Sequence, residues 1–285
     1  MKNILIPTDF SLAAWNATEF ALRLFANTTC TFYFLNAYTP EIYSNRLMAG
    51  NAVVEVKACT AQKASEKGLS MLLSRVKKQH GNHRHTYVKI PTFSLLVEEV
   101  KEAIEKYALD FIVMGATGEE EDPSCLMGRN AVRILDNVQN CPVLVIPKKF
   151  TFRDLANIAF VSDANYFYKG NELNSLLQVC SGFNSRVHIL NFQKSNDHLN
   201  TLNKLNLYTI DKTLHNVSHE FYNISVKDAL SFTLSTFIDQ NNCQLVVVFS
   251  SNHEFMKNLR LNYVIDKAHF CKDVPILSLK SIEST

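Results

Sequence analysis

Residues 110–147 constrain the fold of this chain more than any other stretch, because two apolar strands there flank a glycine-containing loop and a helix. The run from Phe111 to Met114 is continuously apolar and ends at Gly115, which is typical of a strand buried on both faces. After a helical pattern, a second apolar strand begins with Pro142, a residue tolerated at the first position of a strand. This order of elements predicts part of a parallel sheet covered by helices.

Three glycines, Gly115, Gly118 and Gly128, lie in the loop ahead of that helix. Glycine lets the main chain approach a ligand closely and adopt a positive φ. The N-terminus of the following helix offers unpaired N–H groups and a partial positive charge. Together these features favour an anion, in particular a phosphate. The alternative is a sharp turn and helix entry that no longer hold a ligand.

The first half of the chain alternates strands and helices. Strands are predicted at residues 2–7, 31–36 and 86–90. Helices are predicted over residues 13–24, about 60–80 and 93–107, with an irregular connection at about residues 37–60. Asp9 and Ser11 offer side-chain oxygens to cap the first helix. Ligands of parallel sheets sit beyond the carboxyl ends of the strands, so we expect Asp9, Ala37 and Gly115 to lie close together.

The second half repeats the first. Residues 4–9 match residues 158–163, residues 35–36 match 190–191, residues 110–114 match 244–248, and residues 142–144 match 275–277. The repeat predicts two domains, residues 1–150 and residues 151–285. The second copy is about 21 residues shorter between its second and third strands, which we interpret as a loop deletion in the region that corresponds to residues 37–60.

The repeat has lost the glycines of the loop. Phe249 and Asn252 stand where the first half has Gly115 and Gly118, and no glycine follows Gly182. A loop without glycine cannot easily bring its main chain equally close to a ligand. We therefore predict that the second domain binds no nucleotide and that its Asp163 caps a helix.

Composition excludes several classes of protein. The formal net charge is only +2, so no general attraction to nucleic acid or to acidic membranes is expected. The sequence contains no apolar run of transmembrane length, and Met1 leads directly into a strand without a signal peptide. The seven cysteines form no C-x-x-C pair and are interpreted as reduced thiols, which predicts a cytoplasmic protein.

The spacing of the three glycines, together with the strand at residues 141–147, resembles the universal stress protein family. The opening strand and acidic turn at residues 4–11 also look like those of that family, and the resemblance covers residues 1–150. It implies an α/β fold of two Rossmann-like, adenine nucleotide alpha hydrolase-like domains, each a five-stranded parallel sheet of order 3-2-1-4-5. The fifth strands of such domains commonly pair across a dimer. In this tandem chain, residues 143–146 are expected to lie antiparallel to residues 276–279 as an internal pseudo-dimer, and a further homodimer stays open.

Many members of the family bind ATP, and the resemblance implies one adenine-nucleotide pocket in the first domain, with AMP and cyclic AMP as alternative ligands. Asp9 is expected to contact the ribose or adenine side of the nucleotide. The main chain near Ala37 is expected to face adenine, and the glycine-containing loop is expected to surround the phosphates. The full set of expected cofactor-binding residues is Pro7, Thr8, Asp9, Ala37, Met114, Gly115, Gly118, Gly128, Arg129 and Asn130.

Two departures from the family pattern bear on this pocket. Arg129 stands where the family usually has serine or threonine, and it either donates to phosphate in a bidentate contact or fills the pocket with its bulk. Residues 119–122 form the acidic run Glu-Glu-Glu-Asp. That run has three interpretations: a solvated loop tip, a place where carboxylates and phosphates hold Mg²⁺ or Mn²⁺, or a patch that docks a protein partner.

The sequence argues against an enzyme, because the first loop lacks glycine and no paired general acid and base is found. Neither catalytic residues nor a metal site is assigned, and His80, His83 and His85 are interpreted as part of a polar turn. The first hypothesis is a stress-responsive regulatory protein that binds an adenine nucleotide. The second is a protein-interaction module with an empty pocket and an unidentified partner, and the third is a slow ATP hydrolase.

Overall fold

The computed structural model describes residues 1–38, 51–118, 127–162, 168–193, 201–225, 230–249 and 274–280; of residues 51–59, 193, 225, 230 and 231 it describes the main chain alone. In the first half, strands and helices alternate. They are β1 (Lys2–Pro7), α1 (Leu12–Leu24), β2 (Cys30–Ala37), α2 (Asn51–His80), β3 (His85–Thr92), α3 (Leu96–Tyr107), β4 (Phe111–Gly115), α4 (Arg129–Asn137) and β5 (Val143–Ile146).

The second half repeats this alternation. Its elements are β6 (Asn157–Ser162), a 3-10 turn (Gly170–Leu173), α5 (Asn174–Ser181), β7 (Arg186–Gln193), α6 (Thr201–Thr213), β8 (Ser218–Ser225), α7 (Leu230–Gln240), β9 (Leu245–Phe249) and β10 (Ile276–Leu279). Each strand predicted from the sequence is present. The third strand is longer than predicted, and the helix predicted at residues 93–107 begins at Leu96.

Helix α2 corrects the expected connection between β2 and β3. It begins at Asn51 and runs for 30 residues, whereas the sequence suggested an irregular segment as far as about residue 60. Its counterpart α6 has only 13 residues. The second half is therefore shortened mainly in its helix, and the interpretation as a loop deletion was wrong.

In the described residues, ten strands form one continuous sheet of order β3-β2-β1-β4-β5-β10-β9-β6-β7-β8. Neighbouring strands are parallel within each half. Each half has the order 3-2-1-4-5, as predicted. The halves meet where β5 pairs antiparallel with β10, with Leu144 opposite Leu277, and this confirms the internal pairing of the fifth strands.

Two apolar layers, one on each face of the sheet, form the core. In β4, the side chains of Phe111 and Val113 enter one layer, and those of Ile112 and Met114 enter the other. Each layer contains residues from both halves, so the core continues across the β5–β10 seam. The apolar run at residues 111–114 thus forms a strand that is buried on both faces, as the sequence indicated.

Lysine 280, just beyond β10, makes a further contact between the halves. Its side chain is 5% exposed, and its Nζ donates to the main-chain oxygen of Leu135 at 2.8 Å. Leu135 lies in the last turn of α4, where carbonyl oxygens lack partners within the helix and carry partial negative charge. The second half therefore holds the C-terminal end of α4.

Helix α1 forms as the sequence predicted. Ser11 is its N-cap, and the Ser11 Oγ accepts a hydrogen bond from the main-chain N–H of Ala14 at 3.1 Å. The apolar residues at helical spacing along it are all buried: Ala13, Ala17, Phe20, Ala21 and Leu24. Among the helices that the structure describes, none combines the length and the apolar content of a membrane span.

Four cysteines are free and buried: Cys30, Cys141, Cys180 and Cys243. Burial raises the pKa of the Cys30 thiol to about 11 and those of Cys180 and Cys243 to about 12, and it raises the pKa of Cys141 further. Because the thiolate is the reactive form, these four thiols are held in an unreactive state.

We expect maleimide at pH 7 to leave these four cysteines unlabelled in the native protein and to label all of them in denaturant. Peptide mass spectrometry before and after unfolding measures this. Cys59, Cys125 and Cys271 fall outside the side chains that the structure describes and are scored separately. Rapid native labelling of any of the four buried thiols would contradict the burial described here.

Candidate functional site

The carboxyl ends of β1, β2 and β4 surround an open cleft of about 600 Å³, counting its mouth. In the sheet, β1 lies between β2 and β4, so the chain order reverses beside β1 at this edge. Such switch points are where parallel sheets bind ligands. Nine of the ten predicted cofactor-binding residues line this cleft: Pro7, Thr8, Asp9, Ala37, Met114, Gly115, Gly118, Gly128 and Asn130.

Arg129 is the predicted site residue that does not line the cleft. It is the first residue of α4, and its side chain is exposed. In this conformation the guanidinium neither fills the cleft nor lies against its wall, so a contact between Arg129 and a phosphate stays a prediction. The acidic run at residues 119–122 lies outside the described residues.

Side chains at the turn after β1 hold its main chain. The Thr8 Oγ1 accepts from the N–H of Phe10, and the Asp9 Oδ1 accepts from the N–H of Ser11, each at 3.0 Å. These local bonds are the turn chemistry that threonine and aspartate favour. They orient Asp9 at the rim of the cleft, immediately before the capped start of α1.

Sequence reasoning missed several cleft residues, of which Asn36 is the most informative. Its Nδ2 donates to the main-chain oxygen of Thr8 at 2.7 Å, and the residue is 9% exposed. This bond joins the carboxyl ends of β1 and β2 beneath the cleft. A polar residue at the end of an otherwise apolar strand was the available signal. The other missed lining residues are Ala14, Leu96, Ala116, Thr117 and Ala131.

The glycines act differently from the sequence expectation. None of the glycines that the structure describes has a positive φ. A Cβ on Gly115 would lie 2.9 Å from the Ala13 carbonyl carbon and 3.0 Å from its oxygen, so Gly115 is required by the close packing of α1 on β4. A Cβ on Gly118 would lie 3.1 Å from the Asp9 Oδ2, so Gly118 leaves room beside that carboxylate.

Gly128 closes the loop and begins α4. Its N–H donates to the main-chain oxygen of Ala116 at 2.6 Å, which joins the two ends of the loop. Gly128 is the N-cap of α4 and supplies no side-chain cap. Because Gly128, Asn130 and Ala131 line the cleft, the first turn of α4 presents its N–H groups and partial positive charge there.

Aromatic rings pack together at the end of β9, the counterpart of β4 in the second half. Phe249 ends β9 as Gly115 ends β4, and it is completely buried. Its ring packs edge-on against Tyr168, with 5.3 Å between the centroids, and Tyr168 is 1% exposed. The absence of nucleotide from the second half stays a prediction, which this packing supports. Asp163 and Asn252 lie outside the described residues.

Of the three clustered histidines, His80 and His85 turn in different directions. The Nε2 of His80 lies 3.1 Å from the Glu19 Oε1, whereas the Nε2 of His85 lies 3.2 Å from the main-chain oxygen of Phe25. Burial lowers the pKa of His85. Within the described residues, no group of three histidine, cysteine or acidic side chains is placed to hold a metal ion.

Comparisons with known proteins agree on one family. A sequence model described as the Universal stress protein family matches residues 1–147. Universal stress protein MJ0531 of Methanocaldococcus jannaschii is 27% identical over 159 residues, which cover 52% of this chain and 82% of that protein.

Two solved structures share the architecture across almost the whole chain. A universal stress protein from Archaeoglobus fulgidus has a TM-score of 0.64 at 14% identity, covering 98% of this chain and 96% of its own. Protein PA1789 of Pseudomonas aeruginosa, whose function is described as unknown, has a TM-score of 0.55 at 10% identity. The match covers 99% of this chain and 94% of PA1789. At these identities the likeness shows the fold alone.

Proposed function

This chain belongs to the universal stress protein family, and from that premise we propose that its first half binds an adenine nucleotide as a regulatory ligand. ATP is the first candidate, and AMP and cyclic AMP are alternatives. The nucleotide is a signal that the protein senses in the cytoplasm and does not turn over. The second half holds no nucleotide and serves as the other member of an internal pair.

One observation carries the proposal: Asp9 and the first turn of α4 face the same cleft. The carboxylate of Asp9 can accept hydrogen bonds from sugar hydroxyls. The N–H groups at the start of α4 favour an anion such as a phosphate. A nucleotide carries both sugar hydroxyls and phosphate, and the two lie close enough together to occupy one cleft.

The walls of the cleft also suit a flat base. Ala37, Leu96 and Met114 supply apolar surface, and Asn36 and Thr117 add polar groups nearby. The lining therefore offers apolar surface for a base beside polar groups that can fix its orientation, a combination that is usual in small-molecule sites.

The chemistry of the described wall supports binding without turnover. Among the lining residues that the structure describes, Asp9 carries the one ionisable side chain. General acid–base catalysis needs groups that accept and donate protons at the reacting atoms, and one carboxylate beside a glycine loop does not provide that pair. The proposal includes Mg²⁺ or Mn²⁺ as a companion of the nucleotide, which would neutralise charge on its phosphates.

Thermal unfolding in the presence of nucleotides tests the proposal. We expect ATP, ADP, AMP or cyclic AMP, with or without Mg²⁺ or Mn²⁺, to raise the melting temperature. A ligand at 100 times its Kd stabilises the native state by about 2.7 kcal/mol. GTP and inorganic tripolyphosphate serve as controls for the base and for the phosphates.

The result of the thermal-unfolding experiment distinguishes the three hypotheses that the sequence suggested. A shift with an adenine nucleotide that GTP does not reproduce supports the adenine site. If none of the adenine nucleotides changes the melting temperature under any metal condition, the proposed function is wrong and the interaction module takes its place. Phosphate release that disappears when the cleft is blocked would instead indicate slow hydrolysis.

A further inference from the structure

Phe10 has an unusual main-chain conformation at the edge of the cleft. Its φ is 66°, in the left-handed region, which is a genuine outlier for a bulky residue. Such conformations persist only where the surroundings hold them, and they concentrate at functional sites. Phe10 is also 41% exposed, so burial of its ring in the core does not account for it.

Gly68 is a second locally unfavourable feature, and it lies in the interior of the 30-residue helix α2. Glycine is among the poorest helix formers, because it loses more main-chain freedom than any other residue. Ordinary helix chemistry therefore favours alanine at this position. The exception is a site where another group approaches the helix too closely for a Cβ.

These two features meet. A Cβ on Gly68 would lie 2.6 Å from the Cζ of Phe10, 2.7 Å from its Cε2 and 3.0 Å from its Cε1. The tip of the Phe10 ring therefore occupies the space that any other residue at position 68 would fill. One contact therefore links the glycine inside α2 to the left-handed residue at the edge of the cleft.

The contact bears directly on Asp9. Phe10 lies between Asp9, whose Oδ1 accepts from the N–H of Ser11, and the cap of α1. The other carboxylate oxygen of Asp9 lies beside Gly118. A change in the main chain at Phe10 therefore moves the N–H of Ser11 and, with it, the carboxylate that stands beside the loop.

We propose that Phe10 and Gly68 are positioning residues, whose contact joins α2 to the turn after β1 and sets the place of the Asp9 carboxylate in the cleft. Helix α2 itself contributes no residue to the lining that the structure describes. It acts on the ligand through the ring of Phe10. Displacement of α2 therefore changes the affinity of the cleft, and this part of the inference rests on the proposed function.

A double-mutant cycle in the ligand-free protein tests the contact. In a Phe10→Gly background, Gly68→Ala is expected to raise the melting temperature, because alanine is the better helix former and the ring is gone. In the parent protein, Gly68→Ala is expected to raise it less or to lower it, because the new methyl group displaces the ring. Equal shifts in the two backgrounds would overturn the proposal.

A spectroscopic measurement tests the positioning role itself. Gly68→Ala is expected to shift the ¹³C carboxyl resonance of Asp9 and the amide resonances of Ser11 and Gly118. Gly182→Ala is the matched control, because a Cβ there would find its nearest neighbour at an ordinary 3.8 Å. If the cycle shows coupling but these resonances stay in place, the contact is only structural and the positioning role is wrong.

Nucleotide affinity supplies the functional measurement. By calorimetry with ATP, Gly68→Ala is expected to weaken binding about fivefold while Gly182→Ala leaves it unchanged. Unchanged affinity in Gly68→Ala would contradict the positioning role. If the parent protein binds no nucleotide, the proposed function fails, while the cycle and the Asp9 resonance still decide the inference.

Discussion

Replacing Gly115 by valine is expected to lower the free energy of unfolding by about 3 kcal/mol, near the upper end of what overpacking usually costs. The new Cβ would lie 2.9 Å and 3.0 Å from the carbonyl carbon and oxygen of Ala13. Both are main-chain atoms of α1, so they cannot rotate away as a side chain would. The helix must move off β4, and the packing beneath the cleft is lost. Urea denaturation followed by circular dichroism measures the change.

The same substitution at Gly182 is the matched control. Gly182 follows α5 at an exposed position, where a Cβ meets its nearest neighbour at 3.8 Å. Gly182→Val is expected to change stability by less than about 1 kcal/mol, as surface substitutions usually do. A Gly115→Val protein as stable as the control would show that α1 and β4 are not packed as described.

Gly118→Trp is expected to weaken adenine-nucleotide binding at least about 100-fold, which corresponds to about 2.7 kcal/mol of binding free energy. Gly118 lies on the cleft wall, and the tight neighbour of its Cβ is one side-chain atom, the Asp9 Oδ2 at 3.1 Å. Its φ is not positive, so the main chain accepts a side chain. The indole therefore extends into the space of the ligand without disturbing the core. Isothermal calorimetry measures the loss.

Gly182→Trp adds the same side chain to the surface of the second half and is expected to bind nucleotide as the parent does. Melting temperatures of the two tryptophan variants should agree within a few degrees, which separates blocked binding from unfolding. Full affinity in a folded Gly118→Trp protein would place the ligand elsewhere and would exclude this cleft as the nucleotide site.

The strand order and the pairing of the halves were predicted through the resemblance to the universal stress protein family, whereas the residues themselves indicated the buried strands and their repeat. A strand such as β4, apolar on both faces, has few positions in a sheet that satisfy it. The matches of residues 4–9 with 158–163 and of residues 142–144 with 275–277 repeated that pattern in the same order. The closeness of the site residues could also be predicted, because parallel strands present their carboxyl ends at one edge of the sheet.

The roles of the individual glycines could not be predicted, because they depend on what lies opposite each glycine in space. Gly115 faces the main chain of α1, and Gly118 faces the carboxylate of Asp9. Both partners are about 100 residues away in the sequence, so spacing within the loop carries no information about them. The prediction of positive φ followed from glycine's freedom, whereas the structure uses its small size.

The start of α2 was missed for a different reason. Residues 51–60 contain three valines, which are β-branched and slightly unfavourable in helices. That preference is weak, and the long helix extends through it. The contact of Phe10 with Gly68 was equally invisible in the sequence, since a left-handed aromatic residue has no sequence signature.

The antiparallel seam between β5 and β10 has a consequence for how the two halves divide their tasks. Because strand direction reverses there, the two carboxyl edges open toward opposite poles of the molecule. A molecule held at one pole cannot touch a molecule held at the other. Each pole can therefore change its residues without obstructing the other, as the different residues at the ends of β4 and β9, Gly115 and Phe249, illustrate.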